Sequence, residues 1–234
     1  MELLTEIWRR ATGTQPAPSS TVVLATAVVA ALVVALPQLW PLARHAITLV
    51  HEGSHATVAV LTGRRLAGIR LHSDTSGLTV SVGRPRGPGM VATAAAGYIG
   101  PGVLGLAAAW LTSRGHAVGV LWILLLLVAL MLVQIRNWFG LWSVLVTGAA
   151  LVAVTWWGSA QVQAASAYAI TWFLLLGAPR PVLELLGRRS PGSDPALLAR
   201  LTHVPTMVWI LLLGAITVAT AVVGGSLLIA APLP

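Results

Sequence analysis

His51, Glu52 and His55, in the run His51-Glu52-Gly53-Ser54-His55, are the side chains of this protein best placed to do chemistry. On a helix, residues four apart differ by about 40° and rise about 6 Å, so His51 and His55 share a face and can grip one metal ion, with Glu52 beside them. A catalytic zinc takes nitrogen and oxygen ligands and keeps one position open. A neighbouring carboxylate can then remove a proton from the water held there. This is the chemistry of the H-E-x-x-H pattern, and a shuffled chain of the same composition would contain it about 0.003 times. The plainer alternative is that the three side chains only hydrogen-bond to neighbouring helices. Against it stands the setting, because Glu52 falls in the middle of an apolar run, where an ionised carboxylate costs roughly 2.5–3.5 kcal/mol on insertion scales. Something must offset that cost.

The elements that must carry these residues belong to a membrane. Of 234 residues, 57% are hydrophobic and 9% charged, against about 25% charged in soluble domains, and the mean hydropathy of +0.87 excludes a soluble globule. Seven apolar runs, at approximately 21–40, 42–62, 88–112, 117–135, 138–157, 164–187 and 205–229, approach the roughly 20 residues needed to cross about 30 Å of hydrocarbon. The expected fold is therefore an all-α polytopic membrane protein of about seven transmembrane helices. One stretch departs from the pattern. Ala67, Ile69 and Leu71 alternate with polar or small residues, as do Leu78, Val80 and Val82, and Ser73 to Gly77 supply turn chemistry, so residues 66–83 read as a β-hairpin.

Orientation follows from the bases, all 14 of which are arginine in a chain of net charge +8. Because cytoplasmic loops keep the excess of basic residues, a cytoplasmic tail over residues 1–20 would precede one membrane domain over 21–234. Arg9, Arg10, Arg64, Arg65, Arg70, Arg84, Arg86, Arg136, Arg188, Arg189 and Arg200 then lie on the hairpin side. Arg44 and Arg114 fall outside, and Arg180 lies within the sixth run. Trp40, Trp110, Trp138 and Trp156 stand near run ends, as interfacial anchors do. The arginines occupy short loops, where lipid headgroups and not nucleic acid are the partner. The absence of cysteine removes disulfides and thiolate ligands.

The string HEGSHATVAVLTGRRL, then a hairpin, then the glycine-rich AAAGYIGPGVLG, resembles the site-2 protease-like intramembrane zinc metallopeptidases, most closely the small bacterial branch without a PDZ domain, over about residues 45–204. The resemblance implies one Zn2+ ion, His51 and His55 as ligands, Glu52 as catalytic base, and a transmembrane protein substrate. It also implies a bacterial plasma membrane, with the site toward the cytoplasmic leaflet. The larger family takes its third ligand from an N-P-x-D-G-like motif that this chain lacks. Asp194, in Gly192-Ser193-Asp194-Pro195, resembles the S-D-x-x-x-L segment of the small branch and is the leading candidate, although Ser-Asp-Pro also reads as a helix start. Glu184 is an alternative ligand, or an ion-pair partner of Arg188; Asp74 is an alternative ligand, or a turn residue. Asn137, in Arg136-Asn137-Trp138-Phe139-Gly140, is a candidate oxyanion or substrate contact, with a boundary loop residue as the bland reading. His45, His72, His116 and His203 read as interfacial or loop residues. Gly97, Gly100, Gly102 and Gly105 read as close helix packing, with Tyr98 among them near the site.

Two rival functions remain open: a catalytically silent membrane scaffold of the same family, and a zinc transporter. The second lacks both another helix bearing a His/Asp/Glu cluster and an internal repeat. The hairpin could hold an extended substrate by strand addition, or simply cap the cytoplasmic mouth.

Overall fold

The computed structural model describes residues 1–187 and 190–230. In chain order the elements are α1 (Glu2–Thr12), α2 (Ser20–Ala35), α3 (Trp40–Leu61), β1 (Arg65–Leu71), β2 (Gly77–Val82), α4 (Pro88–Ser113), α5 (Ala117–Gln134), α6 (Trp138–Val152), α7 (Ala160–Gly177), α8 (Pro179–Glu184), α9 (Asp194–Thr202) and α10 (Thr206–Ile229). A π-helical turn at Ala153–Trp157 extends α6, and a 3-10 turn at Leu185–Gly187 extends α8.

Local chemistry sets the boundaries around the motif. α3 begins with Trp40-Pro41, where proline loses no helical bond, and stops before Gly63, whose φ of +76° suits a residue without Cβ. α4 likewise starts with Pro88. The chain between them folds into an antiparallel hairpin, Arg65 opposite Val82 and Leu71 opposite Gly77, within two residues of the expected bounds.

α4 is the axis of the bundle. Its glycines bring neighbours close: Gly97 and Gly100 face α3, Gly102 faces Thr220 of α10, and Gly105 faces Leu175 of α7. The largest apolar core joins α5, α6 and α7 to the hairpin through Leu121, Leu124, Val144, Ala167, Ile69 and Leu71.

The number of spans differs from the seven apolar runs. Among the described residues, five helices are long and apolar enough to cross a membrane: α4, α5, α6 with its π turn, α7 continued through Gly187, and α10. α2 and α3 qualify only together, as a pair bent by 100°, giving six if the pair is one span. The reason is length and polarity: 16 residues of α2 reach only about 24 Å, and α3 carries the polar residues of the motif.

The position of the N-terminal segment also departs from expectation. Gln15 N–H donates to the Gly115 carbonyl (2.7 Å), Val118 N–H donates to Gln15 Oε1 (3.0 Å), and Arg10 lies 5.3 Å over the Trp156 ring. The segment is thus fastened at the turn between α4 and α5. The hairpin stands at the other end of α4, where Gly89 meets Thr62. The 26 residues of α4 separate the two by about 39 Å, so tail and hairpin do not share an end of the bundle. Trp40 is corrected too. It is 4% exposed and donates its indole N–H to Glu184, which makes it a core residue and not an interfacial anchor.

Candidate metal centre

Helical periodicity turns His51 and His55 toward α4, and the absence of a side chain at Gly97 lets them in. A Cβ there would meet the Nε2 atoms of both rings, that of His51 at 2.5 Å. Asp194 arrives from the first turn of α9, 139 residues away in sequence from His55. The three ligand-capable atoms form a nearly equilateral triangle: Nε2 to Nε2 at 3.1 Å, and Asp194 Oδ2 at 3.1 Å from His51 and 3.2 Å from His55. Bonds of 2.0–2.1 Å in a tetrahedral zinc site put ligand atoms about 3.3 Å apart, so the triangle matches one face of such a site.

The other nitrogen of His55 is fixed by α4: Nδ1 stands 2.6 Å from the Thr93 carbonyl, which can only accept, so Nδ1 carries a proton and Nε2 is the nitrogen that the neutral ring would offer to a metal ion. The His51 ring packs edge-on to Tyr98, with centroids 4.8 Å apart. Asp194 occupies the start of α9 without any side-chain capping bond, which falls to neither Ser193 nor Asp194.

Glu52 points to the same side. It is 4% exposed, and its Oε2 accepts a 2.6 Å hydrogen bond from the Thr79 hydroxyl of β2. Gly77 makes room for it, since a Cβ at that position would collide with the Glu52 carboxylate. An open cleft of about 400 Å³ has Glu52, His51, His55 and Asp194 in its wall, together with Thr79 and Arg44.

The other expected candidates lie elsewhere. Asp74 is exposed in the hairpin turn, where its Oδ1 accepts from Ser76 N–H (3.0 Å) and Ser76 Oγ (2.6 Å), and these bonds hold its pKa below the ordinary carboxylate value. Glu184 is taken by Trp40 Nε1 (2.8 Å), Arg44 (3.0 Å) and Arg180 (3.6 Å); its expected partner Arg188 lies outside the described residues. Asn137 spends both ends of its amide on Leu71, donating to the carbonyl at 2.6 Å and accepting from the N–H at 3.2 Å. It lies at the outer edge of β1 and is not among the residues lining the cleft. His45 packs against Phe139, His72 meets Ser76, His116 precedes α5, and His203 ends α9 with a φ of +60°.

Sequence reasoning missed Thr79 and Thr93, because a hydroxyl in a strand and a carbonyl in a helix carry no local signal. Gly77 passed as ordinary turn chemistry, and Gly97 was noticed for packing, without its relation to the histidines.

Helices fit to cross a membrane, with two imidazoles and a carboxylate gathered beside a buried glutamate, describe an integral membrane protein with a candidate metal centre. The family model described as Peptidase M50B-like matches residues 24–224, and the chain belongs to that family of site-2 protease type. No curated protein and no solved structure matches it.

Proposed function

We propose that the protein is an intramembrane zinc endopeptidase in which His51, His55 and Asp194 hold one zinc ion and Glu52 is the general base. The observation that carries the reading is the convergence of three ligand atoms, from helices distant in sequence, on a cleft that also contains a buried carboxylate. Bound there, zinc supplies a Lewis acid with one open coordination position. Glu52 accepts a proton from the attacking water and returns it to the leaving amine, and Thr79 keeps its carboxylate turned toward the cleft. Thr93 keeps the His55 ring in the tautomer that can ligate.

The substrate is a membrane-embedded segment, which must be locally unwound before its peptide bonds can be attacked. The hairpin suits that task. The outer edge of β1 is occupied by the segment from Ile135 to Asn137, with Arg136 N–H donating to the Ile69 carbonyl at 2.9 Å. β2 borders the cleft with its opposite edge, so an extended substrate strand would add at β2. Asn137 then acts on substrate through the hairpin it fastens. The arginines at the hairpin end, Arg64, Arg65, Arg70, Arg84, Arg86, Arg136 and Arg200, support a mouth that opens toward the cytoplasm.

Metal analysis of purified protein and comparison of membrane proteomes from cells carrying wild-type or Glu52→Gln protein test the reading. Zinc in both proteins, with a substrate that accumulates uncut in the variant, is the expected result. Zinc without any cut substrate in wild-type cells would favour a silent scaffold, and zinc uptake by liposomes carrying the protein would favour a transporter.

A further inference from the structure

The N-terminal helix has a surface that the bundle does not cover. At 100° per residue, Leu4, Ile7, Trp8 and Ala11 of α1 fall on one side and Glu2, Thr5, Glu6 and Arg9 on the other. The apolar side is itself divided. Ile7 and Ala11 are half-buried where α1 packs on the start of α5, whereas Leu4 and Trp8 are each 71% exposed. On the polar side, Glu6 is bracketed by Arg9 and Arg10, each at 2.6 Å. The charges along its flank thus largely cancel, and the exposed part of its apolar side consists of Leu4 and Trp8.

Its surroundings say what meets that face. Arg10 lies over Trp156, which ends an apolar helix beside Trp157, 75% exposed; across the turn Arg114 lies 5.4 Å over Trp110, 50% exposed. Tryptophan and arginine at the ends of apolar spans mark the headgroup layer of a bilayer, and the exposed face of α1 continues that belt. Gln15 bolts the segment to the α4–α5 turn from both sides, through Gly115 and Val118.

We propose that α1 lies flat in the headgroup layer of the leaflet opposite the hairpin and the His51/His55/Asp194 cluster, with Leu4 and Trp8 in contact with lipid. The partner is the lipid surface, and the N-terminal segment and the site stand across the membrane from each other. The chain between them crosses once, through the bent pair of α2 and α3. With the hairpin in the cytoplasm, α1 lies outside it, against the cytoplasmic position expected from Arg9 and Arg10. The arginine bias tolerates the change, because Arg64, Arg65, Arg70, Arg84, Arg86, Arg136 and Arg200 remain at the hairpin end and outnumber Arg9, Arg10 and Arg114 at the other. This inference concerns anchoring alone and does not depend on the peptidase reading.

The chain contains no cysteine, so single cysteines report without background. In sealed vesicles, a membrane-impermeant maleimide should label Glu2→Cys and Ser73→Cys from opposite sides; labelling from the same side overturns the proposal. A nitroxide attached at Leu4→Cys, in the full chain in vesicles of phosphatidylcholine and phosphatidylglycerol, should be reached by oxygen and shielded from a water-soluble nickel chelate. Ready access of the nickel chelate would place the face in water, and shielding from both agents would place it against protein, a second copy included. Either result refutes the lipid contact. A label at Glu2→Cys, on the polar side, should respond to nickel in the same vesicles.

Discussion

Two carboxylates, one near the start of α3 and one beside its middle, meet nitrogen partners of different kinds. Glu184, near Trp40 and Arg44, faces two guanidinium groups that are charged at every accessible pH, with Arg180 also stacked 4.6 Å over the Trp40 ring. Asp194 faces two imidazoles, one of which must spend its Nδ1 proton on a backbone carbonyl. The first cluster already holds its carboxylate between two fixed positive charges. The second brings three ligand-capable atoms around one point, a set that could hold a metal ion. Similar burial, with side chains 31% and 21% exposed, therefore goes with different arrangements: one cluster braces α3 against α8, and the other gathers atoms that could hold a metal ion.

Substitutions that remove charge but keep shape break the comparison most directly. Asp194→Asn should lose zinc and cleavage together, by more than the roughly 10–100-fold typical when only a supporting contact of a metal ligand is removed. Metal content alongside an intact melting transition is the readout, and full zinc occupancy in a folded variant would return attention to the other acids. Glu52→Gln should retain zinc while cleavage falls about 10²–10⁴-fold, the range for loss of a general base; near-normal turnover would exclude that role. Thr79→Val removes one hydrogen bond to the Glu52 carboxylate and should slow cleavage about tenfold, equivalent to roughly 1.4 kcal/mol. Thr79→Ser should restore the rate, and a purely structural role for Thr79 would leave the rate of folded protein unchanged. Glu184→Gln has the smallest effect at the metal. Zinc content should stay at the wild-type level, while stability in detergent drops by about 1–3 kcal/mol because two arginines lose their counter-charge. A loss of zinc in that variant would erase the distinction between the clusters.

The motif was legible because it is local: His51, Glu52 and His55 lie within one turn and a half of helix. Asp194 was legible only through resemblance, and Ser-Asp-Pro alone would have passed for a capped helix start. The hairpin could be read from its alternation, since Ile69 and Leu71 must be buried while Arg70 is not. Spans were harder. Hydropathy records an apolar run, but not that α2 stops after 16 residues and the chain turns by 100° before α3. The side on which the N-terminal segment sits depends on Gln15 bonding to residues about 100 positions away, and no local pattern reports such a bond. Arg9 and Arg10 report only charge near an apolar run, and charge alone does not say at which end of the bundle the segment is fastened.

Gly97 shows how little it would take to silence the centre. A methyl group there would stand inside the space that the two imidazoles close around, so Gly97→Ala would act as a permanently bound inhibitor made of one carbon. His51, His55, Asp194, Glu52 and the overall charge would all survive it. Among related chains, intact histidines and an intact glutamate are therefore insufficient as a sign of activity, and the residue facing them on the next helix has to be read as part of the same site.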